Sequence, residues 1–210
     1  MSISWTQAIA ACPLVAILRG ITPDEAEPAI GGLIGTGFRI LEIPLNSPDA
    51  LVSIRRAAER YGADAIIGAG TVLRPEEVRE VQAAGGRLIV APNFSPLVAA
   101  ACRELGLCYG PGVATPSEAF AAIEAGATFL KLFPAEMIPP PVVKAWRAVL
   151  PRRVGLFPVG GIAPGTMKPY IEAGANGFGL GSALYTPRMT VEELVRRGRD
   201  FVAALPQNPA

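Results

Sequence analysis

Apolar residues fall in short runs along this chain, and a stretch with helical spacing follows each run. The runs are LVAILRG (14–20), RILEIPLN (39–46), AIIGAGT (65–71), RLIVAPN (87–93), LCYGPG (107–112), FLKLFPA (129–135), GLFPVGG (155–161) and GFGLGS (177–182). They are near-continuous rather than alternating, as parallel strands covered on both faces are. Between them, segments such as TPDEAEPAI, SPDALVSI, RPEEVREV, SPLVAAAC and TPSEAFAAI carry helix-start signals. Ser or Thr before Pro, then acidic residues, supplies an N-cap, a proline for the first turn and charge for the dipole. PPPVVKAW, APGTMKPYI and TVEELVRR continue the pattern, and several helices close on Gly, as in CRELG and YIEAGA.

This alternation predicts an α/β fold. Eight strand–helix pairs in 210 residues fit a single (β/α)₈ TIM barrel domain over residues 1–210. A short lead-in helix is expected at the N-terminus and a frayed tail, PQNPA, at the C-terminus. An open doubly wound sheet is the alternative with the same alternation.

Composition narrows the function. The formal net charge is +1 and neither sign forms a run, so no nucleic-acid partner is expected. The chain has no histidine, which excludes a Ser–His triad and removes the commonest metal ligand; no metal is expected. Cys12, Cys102 and Cys108 have no ligand spacing and read as reduced core thiols. The N-terminal segment has no basic start, so neither a signal peptide nor a membrane span is expected, and the cytoplasm is the expected compartment.

Charged residues inside apolar runs carry the chemistry. Lys131 lies mid-run, sharing a face with Phe129 and Phe133, and lysine is rarely buried without a partner or a purpose. It either reaches solvent by ending its strand early or points inward as a desolvated amine, the form that attacks carbonyls. Glu42, on the second run, lies across the ring from the sixth in an eight-strand barrel. It serves either as a proton shuttle to Lys131 or as its buried ion-pair partner. Arg19 ends the first run and suits an anionic group; a salt bridge to a loop is its plain alternative. Thr71 offers a hydroxyl at the same end, or an N-cap for the next helix. Gly160 and Gly161, with Gly181 and Ser182, precede helices after the seventh and eighth runs, where barrels bind phosphate through backbone N–H groups.

AILRGITPDEA, EIPLNSP, IGAGTVL, APN, LKLFPAE, PVGGI and GLGS together resemble the class I 2-keto-3-deoxy-6-phosphosugar-acid aldolases, from about Leu14 to Tyr185. The resemblance implies a (β/α)₈ barrel, a homotrimer, and neither metal nor cofactor. It implies Lys131 as the Schiff-base residue, Glu42 as the proton shuttle and Pro92 as a residue that orients proton transfer. It implies Arg19 and Thr71 at the pyruvate end, and Gly160, Gly161, Gly181 and Ser182 at the phosphate. The gluconate branch reads E-V-T-L-R and P-T-G-G where this chain has EIPLN and PVGG. Asn46 and Val159 therefore resemble the galactonate branch, whose substrate is the C4 epimer, and Val159 is the expected discriminator. The implied activity is cleavage of 2-dehydro-3-deoxy-6-phospho-D-galactonate to pyruvate and D-glyceraldehyde 3-phosphate. The alternatives are the gluconate epimer or both, a phosphosugar isomerase or epimerase, and a non-catalytic phosphosugar-binding barrel.

Overall fold

The computed structural model describes residues 2–206. The expected C-terminal tail, apart from Pro206, lies outside them. The strands are β1 (Leu14–Ile17), β2 (Ile40–Pro44), β3 (Ile66–Gly70), β4 (Leu88–Val90), β5 (Cys108–Gly110), β6 (Gly112–Val113), β7 (Phe129–Leu132), β8 (Gly155–Pro158) and β9 (Phe178–Leu180). The helices are α1 (Trp5–Ala11), α2 (Pro23–Thr36), α3 (Ala50–Tyr61), α4 (Pro75–Ala83), α5 (Pro96–Glu104), α6 (Pro116–Glu124), α7 (Pro140–Val149), α8 (Pro164–Glu172) and α9 (Val191–Ala203). The helix starts follow the capping chemistry in the sequence. At α6, Glu118 N–H donates to Thr115 Oγ1 at 3.3 Å while Thr115 N–H donates to Glu118 Oε2 at 2.9 Å. The α3 start differs from the expected Ser–Pro cap: Asp49, at φ 44°, is the N-cap. Ser47 is instead buried, its Oγ accepting from Gly20 N–H at 2.9 Å.

All strand pairs are parallel, in the order β5-β4-β3-β2-β1-β9 for one sheet and β6-β7-β8 for the other. Neighbours in sequence are neighbours in space, without the reversal of strand order that a doubly wound sheet has. The fifth predicted run is split into β5 and β6 at Pro111. Proline has no N–H for the ladder, yet its carbonyl still accepts from Lys131 N–H at 2.9 Å. Thr128 N–H likewise donates to Tyr109 O at 2.8 Å, joining the sheets on that side. On the other side, Val159, one residue past β8, forms a parallel bridge with Gly179 of β9. The curled sheets share one interior cluster of Ala8, Val15, Ile40, Ile66, Leu88, Val90, Phe129 and Phe157. Trp5 of α1 closes its lower end, stacking on Phe129 with ring centroids 4.9 Å apart. The opposite strand faces pack on the helices in a larger core that includes Leu41, Ile43, Leu130 and Leu132.

Candidate active site

Alternation along β7 puts Leu130 and Leu132 on the helices, and Phe129 and Lys131 inside. Lys131 is 6% exposed, so it does not reach solvent by ending its strand early. Burial, more than anything else, pushes its amine below the ordinary lysine range; Glu42 opposes that shift and Arg19 adds to it. The ammonium position lies 4.6 Å from the centroid of the Phe133 ring.

Glu42 faces the same interior from β2 and is 2% exposed. Burial pushes its carboxyl up to about 7, against the pull of Lys131 and Arg19. Its Oε2 has no hydrogen-bond partner and rests against Gly70, where any Cβ would overlap it. The ion pairs among the described residues all lie elsewhere, so Glu42 and Lys131 face each other without a contact salt bridge. A space of about 10 Å³ is lined by both, with Val15, Ile17 and Phe129 among its walls.

Above Lys131 opens a cavity of about 400 Å³. Arg19, Thr71, Pro92, Lys131, Val159, Gly160, Gly161, Gly181 and Ser182 all line it. The structure thus brings every sequence-predicted site residue to one place, with Glu42 just beneath. On one wall, Arg19 Nη1 donates to Asn46 Oδ1 at 2.7 Å and Nη2 to Thr71 Oγ1 at 3.4 Å. Among the described residues Arg19 makes no salt bridge to a neighbouring loop. Thr71, at φ 57°, is no helix cap either, since α4 starts at Pro75 with Arg74 as its N-cap.

On the other wall, Gly160 (φ 116°) and Gly161 (φ 61°) turn in the left-handed region before α8. Glu136 lies behind the pair, and a Cβ on Gly160 would overlap its carboxylate. The Gly181 carbonyl accepts from Leu184 and Tyr185 N–H at 2.9 and 3.0 Å, so Ser182 and Ala183 head a helical turn at the cavity wall. Val159 is buried between the walls and gives the cavity an apolar side; Gly179 makes room for its methyls. A cation, an amine, a buried carboxylate and a glycine cradle fit an elongated anion with a carbonyl between its charged ends.

Residues that sequence reasoning left without a role also line or shape the site. Phe133 was placed on the face of Lys131 by alternation alone. Gly70, inside GAGT, gave no signal apart from being a glycine in a strand. Asn46 reads in the sequence only as a branch marker, and the fold gives it Arg19 as a partner.

The family model for KDPG and KHG aldolase matches residues 6–196. The chain is 47% identical, over 91% of its length and 94% of the relative's, to the 2-dehydro-3-deoxy-6-phosphogalactonate aldolase of Escherichia coli (strain K12). It is 34% identical to a 2-dehydro-3-deoxy-phosphogluconate aldolase of Treponema pallidum (strain Nichols), over 70% of each chain. A solved structure described as native KDPGal superposes with a TM-score of 0.90 at 47% identity, covering 91% of this chain and 93% of the other. Its Lys131 strand and its glycine turns thus sit within a likeness that runs nearly end to end, and the chain belongs to the KDPG and KHG aldolase family.

Proposed function

We propose that this chain is a Schiff-base aldolase that cleaves 2-dehydro-3-deoxy-6-phospho-D-galactonate to pyruvate and D-glyceraldehyde 3-phosphate. The observation that carries the reading is Lys131, a buried amine with a lowered proton affinity on the floor of a cavity lined by Arg19 and two glycine turns. The 47% identity to a galactonate aldolase, against 34% to a gluconate aldolase, supports the choice of epimer.

In this mechanism Arg19 and Thr71 hold the substrate carboxylate, and Gly160, Gly161, Gly181 and Ser182 hold the phosphate. The neutral Lys131 amine adds to the C2 ketone, and water leaves to give an iminium. Glu42 removes the C4 hydroxyl proton through one water, for which the space between it and Lys131 is about the right size. The C3–C4 bonding pair flows into the iminium, giving an enamine, and the aldehyde departs. Glu42 returns the proton to C3, with Pro92 orienting the transfer, and hydrolysis frees pyruvate and the amine. A carboxyl near pH 7 serves both directions of transfer. Val159 meets the C4 region, where an apolar wall favours one epimer over the other; the gluconate epimer is expected to react more slowly.

The two sheets form one closed (β/α)₈ barrel in this reading. It is supported by the Val159–Gly179 bridge, the hydrogen bonds across Pro111 and the interior cluster that both sheets share. One domain then spans the chain, with β1 between β2 and β9 and α2 packed on α9. The family resemblance supports a homotrimer, which light scattering on the purified protein checks. Phosphorylated sugar acids are held inside cells by their charge, which favours the cytoplasm.

Borohydride reduction in the presence of pyruvate tests the assignment. The unaltered chain is expected to gain one covalent three-carbon adduct by mass spectrometry, and Lys131→Ala none. An adduct on the Lys131→Ala variant overturns it, and an isomerase or a simple binding barrel would give no adduct at all.

A further inference from the structure

Arg19 is held by an uncharged residue. Among the described residues it has no carboxylate within ion-pair distance, and its short contact is to the Asn46 amide oxygen, at 2.7 Å. Arginine only donates, so the amide must present Oδ1 and turn Nδ2 away. The contact is doubled by the next residue on each side: Gly20 N–H donates to Ser47 Oγ at 2.9 Å. Gly20 sits at φ 83°, and Ser47 is buried where a helix cap was expected. Two successive residues after β2 thus clamp two successive residues after β1. Thr71, from the end of β3, takes a second Arg19 N–H at 3.4 Å. Arg19 itself lines the cavity.

We propose that Asn46 is a positioning residue that fixes the Arg19 fork while leaving its full positive charge available to the substrate carboxylate and to Lys131. This rests on the aldolase reading above. A carboxylate at this position would hold the fork as well but would neutralise it. The amide holds it without that cost, and the exposed setting of Asn46 leaves room for either.

The charge matters beyond binding. Arg19 is one of two charged groups acting on Lys131; the other is Glu42 of β2. The strands that flank β7 offer no other: β6 contributes Gly112 and Val113, and β8 contributes Phe157 and Pro158. Cys108 of β5 lies with the cluster at the lower end, and no ionisable side chain stands on β3, β4 or β9. Arg19 favours the neutral amine and the ionised carboxylate, the two forms the first steps require.

Asn46→Ala and Asn46→Asp separate positioning from charge. For Asn46→Ala, KM for the phosphosugar acid is expected to rise about fivefold, with the acid limb of the kcat/KM profile unmoved. For Asn46→Asp, KM is expected to rise about tenfold, and the acid limb to move to higher pH by roughly half a unit, because the new charge raises both the Lys131 and Glu42 proton affinities. Wild-type KM in both variants overturns the proposal, as does an equal shift of the limb in both. Borohydride trapping with pyruvate is run alongside. Loss of trapping in the unaltered chain sinks the aldolase reading itself, whereas normal trapping with unchanged variants sinks only the role of Asn46.

Discussion

Glu42 sits in an enclosure that disfavours its charge, and that enclosure has a measurable cost. Its carboxyl titrates near 7 in the fold against an ordinary value of 4.5, so the folded state holds a proton that the unfolded state has lost. The stability that goes with that proton is present below about pH 4.5 and is lost as pH rises through 7. At pH 8 the whole cost is borne, roughly 3 kcal/mol at about 1.4 kcal/mol per unit. Glu42→Gln is therefore expected to raise the thermal midpoint at pH 8 by several degrees, with the gain shrinking toward pH 4.5, while turnover falls by about 10²–10⁴. Calorimetry across pH, with a pyruvate-coupled assay, checks both halves. Val159→Thr restores a hydroxyl to the apolar wall, and the galactonate-to-gluconate ratio of kcat/KM is expected to fall by roughly tenfold, read from both epimers. Lys131 and Glu42 were legible in the sequence because a lone charge in an apolar run has few explanations. The titration of Glu42 was not, since it depends on Gly70 and the packed interior, which only the fold brings together.

The elements were legible to a similar degree, and most misses ran in one direction. Each predicted run contains an observed strand, but all save the fifth extend too far at their C-terminal ends. The strand in RILEIPLN ends at Pro44, and GLFPVGG pairs no further than the Val159 bridge to Gly179. The excess residues leave the ladder, and Val159, Gly160 and Gly161 among them form a wall of the cavity. Pro111 and Ser47 follow the same logic, because one missing N–H or one tertiary hydrogen bond overrides local pattern. At the other end of the strands, α1 acts as a plug through Trp5 and the buried Ala8. Trp5 stacks on Phe129 at 4.9 Å and meets Phe157 at 6.3 Å. Trp5→Ala is expected to cost about 2–3 kcal/mol, less than for a fully buried tryptophan, with kcat/KM within about twofold of the unaltered chain. Urea unfolding followed by Trp146 fluorescence measures the first and the coupled assay the second.

For the molecule as a whole, the charge is close to balanced while the site is not. A net charge of +1 gives little long-range pull on a substrate with two anionic ends. In the proposed mechanism capture depends on Arg19 and the glycine turns within the cavity, where screening is weaker. Raising salt from about 0.05 to 0.5 M is expected to lower kcat/KM by only about two- to threefold. A tenfold or larger loss would point to steering by the wider surface. The packed floor of Val15, Phe129 and Phe157, sealed by Trp5, has a consequence for traffic. With that floor closed, the proposed mechanism has substrate, both products and the water that hydrolyses the last intermediate share one doorway. The aldehyde fragment has to vacate before that water arrives. Release is therefore ordered, with the three-carbon acid last, and pyruvate alone should compete with substrate for the empty enzyme.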